Sequence, residues 1–76
     1  MPTFLHLLKG DSATLAVPVI EANSREPGAT VTVVMLDSIK APTLPPAVHV
    51  RHLSPSDLDY SALLDLIFES DRVISW

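Results

Sequence analysis

Apolar residues fall along the chain in four short runs of strand length and two stretches with helical spacing. Thr3–Leu8 (TFLHLL) is a compact apolar run stopped by Lys9-Gly10-Asp11-Ser12, the pattern of a central strand covered on both faces. Leu15, Pro18, Val19 and Ala22 then recur at i, i+3, i+4 and i+7, which predicts a half-buried helix capped by Asp11 or Ser12 and ended at Pro27-Gly28. Pro18 lies beyond the first turn, where proline costs about 3 kcal/mol. The helix must therefore kink there or begin late, and a kink is expected. Thr30–Leu36 (TVTVVML) is rich in β-branched residues and predicts a second strand. Asp37–Pro46 holds three prolines and reads as a loop longer than α/β units usually need. Val48–Leu53 follows as a third strand, with Val48 and Val50 on one face and His49 and Arg51 on the other. After the cap-or-turn cluster Ser54-Pro55-Ser56-Asp57, a second helix runs from Asp57 or Tyr60 to Ser70. Tyr60, Leu63, Leu64 and Ile67 form its core face, and Leu66 and Phe68 widen the apolar arc. Arg72–Trp76 (RVISW) reads as a closing strand.

The order β-α-β-β-α-β predicts an α/β fold with a mainly parallel, four-stranded sheet. Right-handed crossovers set each helix against a face of it, in two or three layers. Two βαβ units side by side give strand order 2-1-3-4, a clipped flavodoxin-like arrangement, with Leu5, Leu7, Val31, Val33, Leu63 and Ile67 buried. Residues 1–76 read as a single domain, without internal repeat or linker.

Size and composition then narrow the function. A chain this small buries only about 60% of its unfolded surface, and comparable domains rely on disulfides, metals or association. There is no cysteine, so disulfide, thiol and persulfide chemistry are excluded for the chain's own residues. His6, His49 and His52 lack the partners and spacing of a metal site, and no cofactor is expected. With 47% hydrophobic and 18% charged residues, there is more apolar material than a small monomer hides, which predicts self-association. A net charge of −4 and five scattered Lys/Arg exclude a nucleic-acid patch. No apolar run is long enough to span a membrane. The first residues lack the basic and apolar blocks of a signal peptide, so a cytoplasmic location is expected.

Two loops are candidate ligand sites. Lys9, Gly10, Asp11 and Ser12 follow the first strand and open a helix, a place receptive to anions. In order 2-1-3-4 they face Ser54, Ser56 and Asp57 across the switch point, where open α/β sheets bind ligands. One glycine is no phosphate fingerprint, and a turn plus a helix cap accounts for the same residues. His49 and His52, three apart on a strand, point to opposite faces and cannot chelate one ion. His6 shares a face with Phe4 and Leu8 and reads as a buried, hydrogen-bonded histidine rather than a base. The serines include no nucleophile elbow, and Asp57, Asp59 and Asp65 read as helix caps and outer-face charges, so no catalytic residue is assigned.

The stretch Val48-His49-Val50, then Tyr60 with Ala62–Phe68, then Asp71-Arg72-Val73-Ile74-Ser75-Trp76 resembles the end of DsrH-like proteins, and Phe4–Leu8 is similar to their opening strand. These belong to the DsrE/DsrF/DsrH sulfur-relay family. The chain is shorter than typical members by about one strand–helix unit, in whose place stands the prolyl loop Ala41–Pro46, and it lacks the persulfide cysteine of the sulfur-carrying members. The resemblance thus implies a non-catalytic accessory subunit, a homo-oligomer or a hetero-oligomer with DsrE-like subunits. Leu66, Phe68 and Trp76 are the expected contact residues. The alternative is a small ligand- or anion-binding module using the 9–12 and 54–57 loops.

Overall fold

The structure, a computed structural model, describes residues 2–37, 40–54 and 56–76. Residues 38 and 39 of the predicted loop and Pro55 of the predicted turn lie outside them. The elements are β1 (Thr3–Leu8), α1 (Ala13–Ser24), β2 (Thr30–Met35), β3 (His49–His52), α2 (Tyr60–Glu69) and β4 (Arg72–Ser75). Between α1 and β2, Glu26 C=O accepts from Ala29 N–H at 3.1 Å, with Pro27 and then Gly28 at the two central positions. Gly28 has φ 75°, so this is a type II turn, which needs a residue tolerant of positive φ there.

All strands pair in parallel, in the order β3-β2-β1-β4. The α/β class and the four-stranded parallel sheet agree with the sequence pattern, but the order is 3-2-1-4 and not 2-1-3-4. The prolyl segment is the reason. Ala41, Leu44 and Val48 pack on the same side of the sheet as Ala16 and Ile20 of α1, so the chain recrosses the face that α1 covers. A second right-handed crossover on that face must step onward in the same direction, and β3 lands beyond β2. The α2 crossover runs back the opposite way, so its handedness places it on the other face. The result is three layers.

Two cores lie on the two faces. Phe4, Leu8, Val31, Val33 and Met35 meet Ala13, Ala16 and Ile20 of α1, while Leu5 and Val34 meet Leu58 and Leu63 on the α2 side. β1 is covered on both sides, as its unbroken apolar run implies. Leu7 and Ile67 are only half-buried.

The expected inward stripe of α1 faces outward instead. Leu15 is 71% exposed, Pro18 and Ala22 are exposed, and Ala13, Ala16 and Ile20 are buried. The helix is apolar around most of its circumference, so periodicity alone does not orient it. Small alanines let the backbone approach the sheet, and Pro18 is tolerable only where water reaches the Thr14 carbonyl it leaves without a donor. Thr14 and Pro18 are both exposed. The helix runs through Pro18 from Ala13, which rules out a late start. Ser12 holds the N-cap position but makes no side-chain cap, its hydroxyl donating back to Lys9 C=O. In α2 the cap is Asp59, whose Oδ1 accepts from Ala62 N–H at 2.8 Å. Of its predicted core face, Leu63 is buried, whereas Tyr60 is 69% and Leu64 38% exposed. Tyr60 is the first residue of α2 and borders a recess with Leu53 and Leu58.

Candidate functional site

Three places hold the chemically distinctive side chains: the loops at the carboxyl ends of β1 and β3, the contact of β1 with β4 and α1, and the outer flank of α2.

The two loops do not face each other. β2 stands between β1 and β3, and the switch point of order 3-2-1-4 lies between β1 and β4. Beside Gly10 stands Asp37, whose Oδ2 accepts the Gly10 N–H at 2.8 Å. A carboxylate thus already takes a donor that an incoming anion would use. Lys9 and Asp11 are exposed and Ser12 is half-buried. In the second loop, Asp57 accepts from Arg51 Nε at 2.7 Å and from His52 N–H at 2.9 Å. The backbone hydrogen bond, followed by the Arg51 bond, holds its carboxyl below the ordinary aspartate range. Ser54 Oγ accepts from Asp57 N–H and lies 3.3 Å from Ser56 Oγ. Leu53, Ser54, Leu58, Asp59 and Tyr60 line an apolar recess of about 250 Å³ here.

The second place is built around His6, fully buried within β1. Its Nε2 lies 2.8 Å from Asn23 Oδ1, and its Nδ1 accepts from Trp76 Nε1 at 3.0 Å. An indole nitrogen only donates, so Nδ1 carries no proton, and the proton of the neutral ring must sit on Nε2. That in turn requires the Asn23 oxygen, not its amide nitrogen, to face the ring. The imidazole and indole planes are 19° apart with centroids at 6.2 Å. Nearly coplanar rings at this separation accord with an edge-to-edge N–H···N bond. Burial lowers the His6 pKa below the ordinary histidine value, partly opposed by the Asn23 bond. With both nitrogens engaged, His6 is a structural histidine and has no free lone pair to act as a base. The sequence pattern places His6 inside, but not Asn23, whose signal was its position three after Ile20 and seven after Ala16 on the buried row. Beside this cluster, Pro2, Phe4, Asn23, Glu26, Arg72 and Ile74 border a polar cleft of about 420 Å³.

The expected contact residues are not on one surface. Leu66 is half-buried against the α2-side core. Trp76 is half-buried against the α1-side core and spends its N–H on His6. Phe68 alone is open, at 83% exposed, and with Tyr60 and Leu64 it forms an i, i+4, i+8 row along the flank of α2.

The fold and these sites define a three-layer α/β/α domain with a parallel 3-2-1-4 sheet and two strongly unequal faces. No protein-family model, curated protein or solved structure matches the chain. Among the described residues, no helix is long and apolar enough to cross a membrane, and no group of three or more His, Asp or Glu side chains is placed to hold a metal ion.

Proposed function

We propose that the protein is a non-catalytic interaction subunit, and that its partner is a cysteine-bearing, DsrE-like member of a cytoplasmic sulfur-relay assembly. The observation that carries the interaction reading is the Tyr60–Leu64–Phe68 row, with an aromatic ring 83% exposed on a helix whose other side is already packed. Exposed contiguous apolar surface marks contact sites, and aromatic anchors dominate such interfaces. The sulfur-relay part rests on the DsrH-like segments Val48–Val50, Tyr60–Phe68 and Asp71–Trp76. Without a cysteine, the chain's contribution is to position a partner and not to carry sulfur. The carboxylates of Asp37 and Asp57 in the two loops weigh against the anion-binding alternative.

The test mixes the purified chain with a purified DsrE-like protein and follows complex mass and transfer of radioactive sulfur from a persulfide donor. A heteromer is expected, lost in Phe68→Asp, with all label on the partner. Absence of a complex, or stoichiometric label on this chain, overturns the reading.

A further inference from the structure

The two edges of the sheet differ in how their outward backbone groups are satisfied. At β3, Leu53 N–H donates inward to Met35 C=O, so by the two-residue period Val50 and His52 turn their N–H and C=O outward. The His52 groups are occupied: Asp57 Oδ2 takes its N–H at 2.9 Å, and Leu58 N–H donates to its C=O at 3.2 Å. Ion-paired Arg51–Asp57 stands at the same edge. Edge strands are commonly protected from pairing with other chains in this way.

Among the described residues, β4 has β1 as its sole neighbour in the sheet, and no hydrogen bond caps its other edge. Trp76 N–H donates inward to Leu7 C=O and Asp71 N–H to Thr3 C=O. Arg72 and Ile74 share the inward phase of Trp76, which leaves both backbone groups of Val73 and Ser75 directed away from the sheet. Among the described residues no proline or lysine stands in β4, its register with β1 is unbroken, and Val73 is 40% exposed beside the edge. Arg72 faces the α1 side with Phe4, Ile74 and Trp76, and among the described residues it makes no ion pair.

We infer that β4 is a pairing edge for a second copy of this chain, joined antiparallel about a two-fold axis at Ile74. That register sets Val73 opposite Ser75 of the second copy twice over, exchanging four backbone hydrogen bonds and using every outward group. Centring the axis on Val73 instead would call on Asp71, whose N–H is already committed to Thr3. The same register sets Arg72 opposite the second copy's half-exposed Trp76 on one face, in the closer, non-hydrogen-bonded pairing. An otherwise unpaired guanidinium thus meets an indole face, whose N–H is engaged in its own plane by His6. The self-complementarity selects a copy of this chain over an unrelated strand. The two sheets become one of eight strands, and the α2 row stays free.

Sedimentation over a concentration series, with amide hydrogen exchange, tests this. The wild type is expected to dimerise, with Val73 and Ser75 amides protected in proportion to dimer. Val73→Pro removes an outward N–H without touching the ladder to β1, so it yields a folded monomer. Arg72→Ala removes two symmetric cation–π contacts and weakens the dimer roughly five- to thirtyfold. Phe68→Asp leaves the dimer intact. A monomeric wild type overturns the inference. So does a dimer in which Val73 and Ser75 exchange as free amides, a readout that stands even if Val73→Pro fails to fold. A heteromer formed through α2 while those amides remain free refutes the β4 contact and leaves the proposed function standing.

Discussion

The α1 side of the sheet is a finished core, and the α2 side is not. On the first, two small alanines and Ile20 close onto β1 and β2, the prolyl segment fills the flank with Ala41 and Leu44, and even the buried polar ring has both nitrogens satisfied. On the second, Leu63 is the helix's sole buried residue, and Tyr60, Leu64 and Phe68 of the same helix stay exposed. Both helices are strongly apolar, so composition does not make the difference. A helix needs an apolar stripe only somewhat over 100° wide to cover a sheet. In α1 the exposed excess is Leu15, Pro18, Val19 and Ala22, which includes no aromatic ring. In α2 it is an aromatic and aliphatic row at regular spacing, on a domain with no further element to lay over it among the described residues.

The largest test of this contrast is truncation on the two sides. Ile20→Ala is expected to cost about 2–5 kcal/mol in denaturant unfolding, and Leu63→Ala to fall at the low end of that range, since the α2 side is looser and relaxes more easily around the gap. A Leu63 cost above that of Ile20 would reverse the assignment of the finished core.

Next in size is the His6 cluster. Trp76→Phe keeps an aromatic ring, though a smaller one, and leaves His6 Nδ1 without a donor, a loss that alone costs about 1–3 kcal/mol. The same contact makes the α1 side sensitive to acid. The folded pKa of His6 is lowered by burial, so the unfolded chain binds the proton more readily. Stability is fully present above the unfolded histidine value of about 6.5 and is lost as pH falls through the folded value. Protonation places an N–H on Nδ1 against the indole N–H, and the single tryptophan reports it. Its emission should shift to the red as stability falls once the pH drops below about 6.5. An emission maximum that stays constant while stability drops would locate the titrating group elsewhere.

The smallest effect should be at Phe68. Phe68→Asp is expected to change the unfolding free energy of the isolated domain by no more than about 0.5 kcal/mol, because the ring has almost no contacts to lose. A loss of about 2 kcal/mol or more would mean that the row is packed in solution, and the contrast between the two sides would fail.

What could be read from residues alone was whatever short stretches of chain decide. Apolar runs of strand length, a Pro27-Gly28 turn and the β-α-β-β-α-β order carry the elements and the parallel class, and the unbroken run around His6 carries its burial. What needed the tertiary structure was every choice between alternatives that cost the same locally. An α1 apolar nearly all round can turn any side inward until the sheet and Pro18 select one. Strand order turned on whether the segment with Ala41 and Leu44 is a bare loop or a crossover packed on the α1 side of the sheet, which its prolines do not reveal. The partners of His6 lie 17 and 70 residues away, and the exposure of Phe68 depends on where α2 meets the sheet. Periodicity measures how much of a helix is apolar, whereas packing decides which part of it the fold can use.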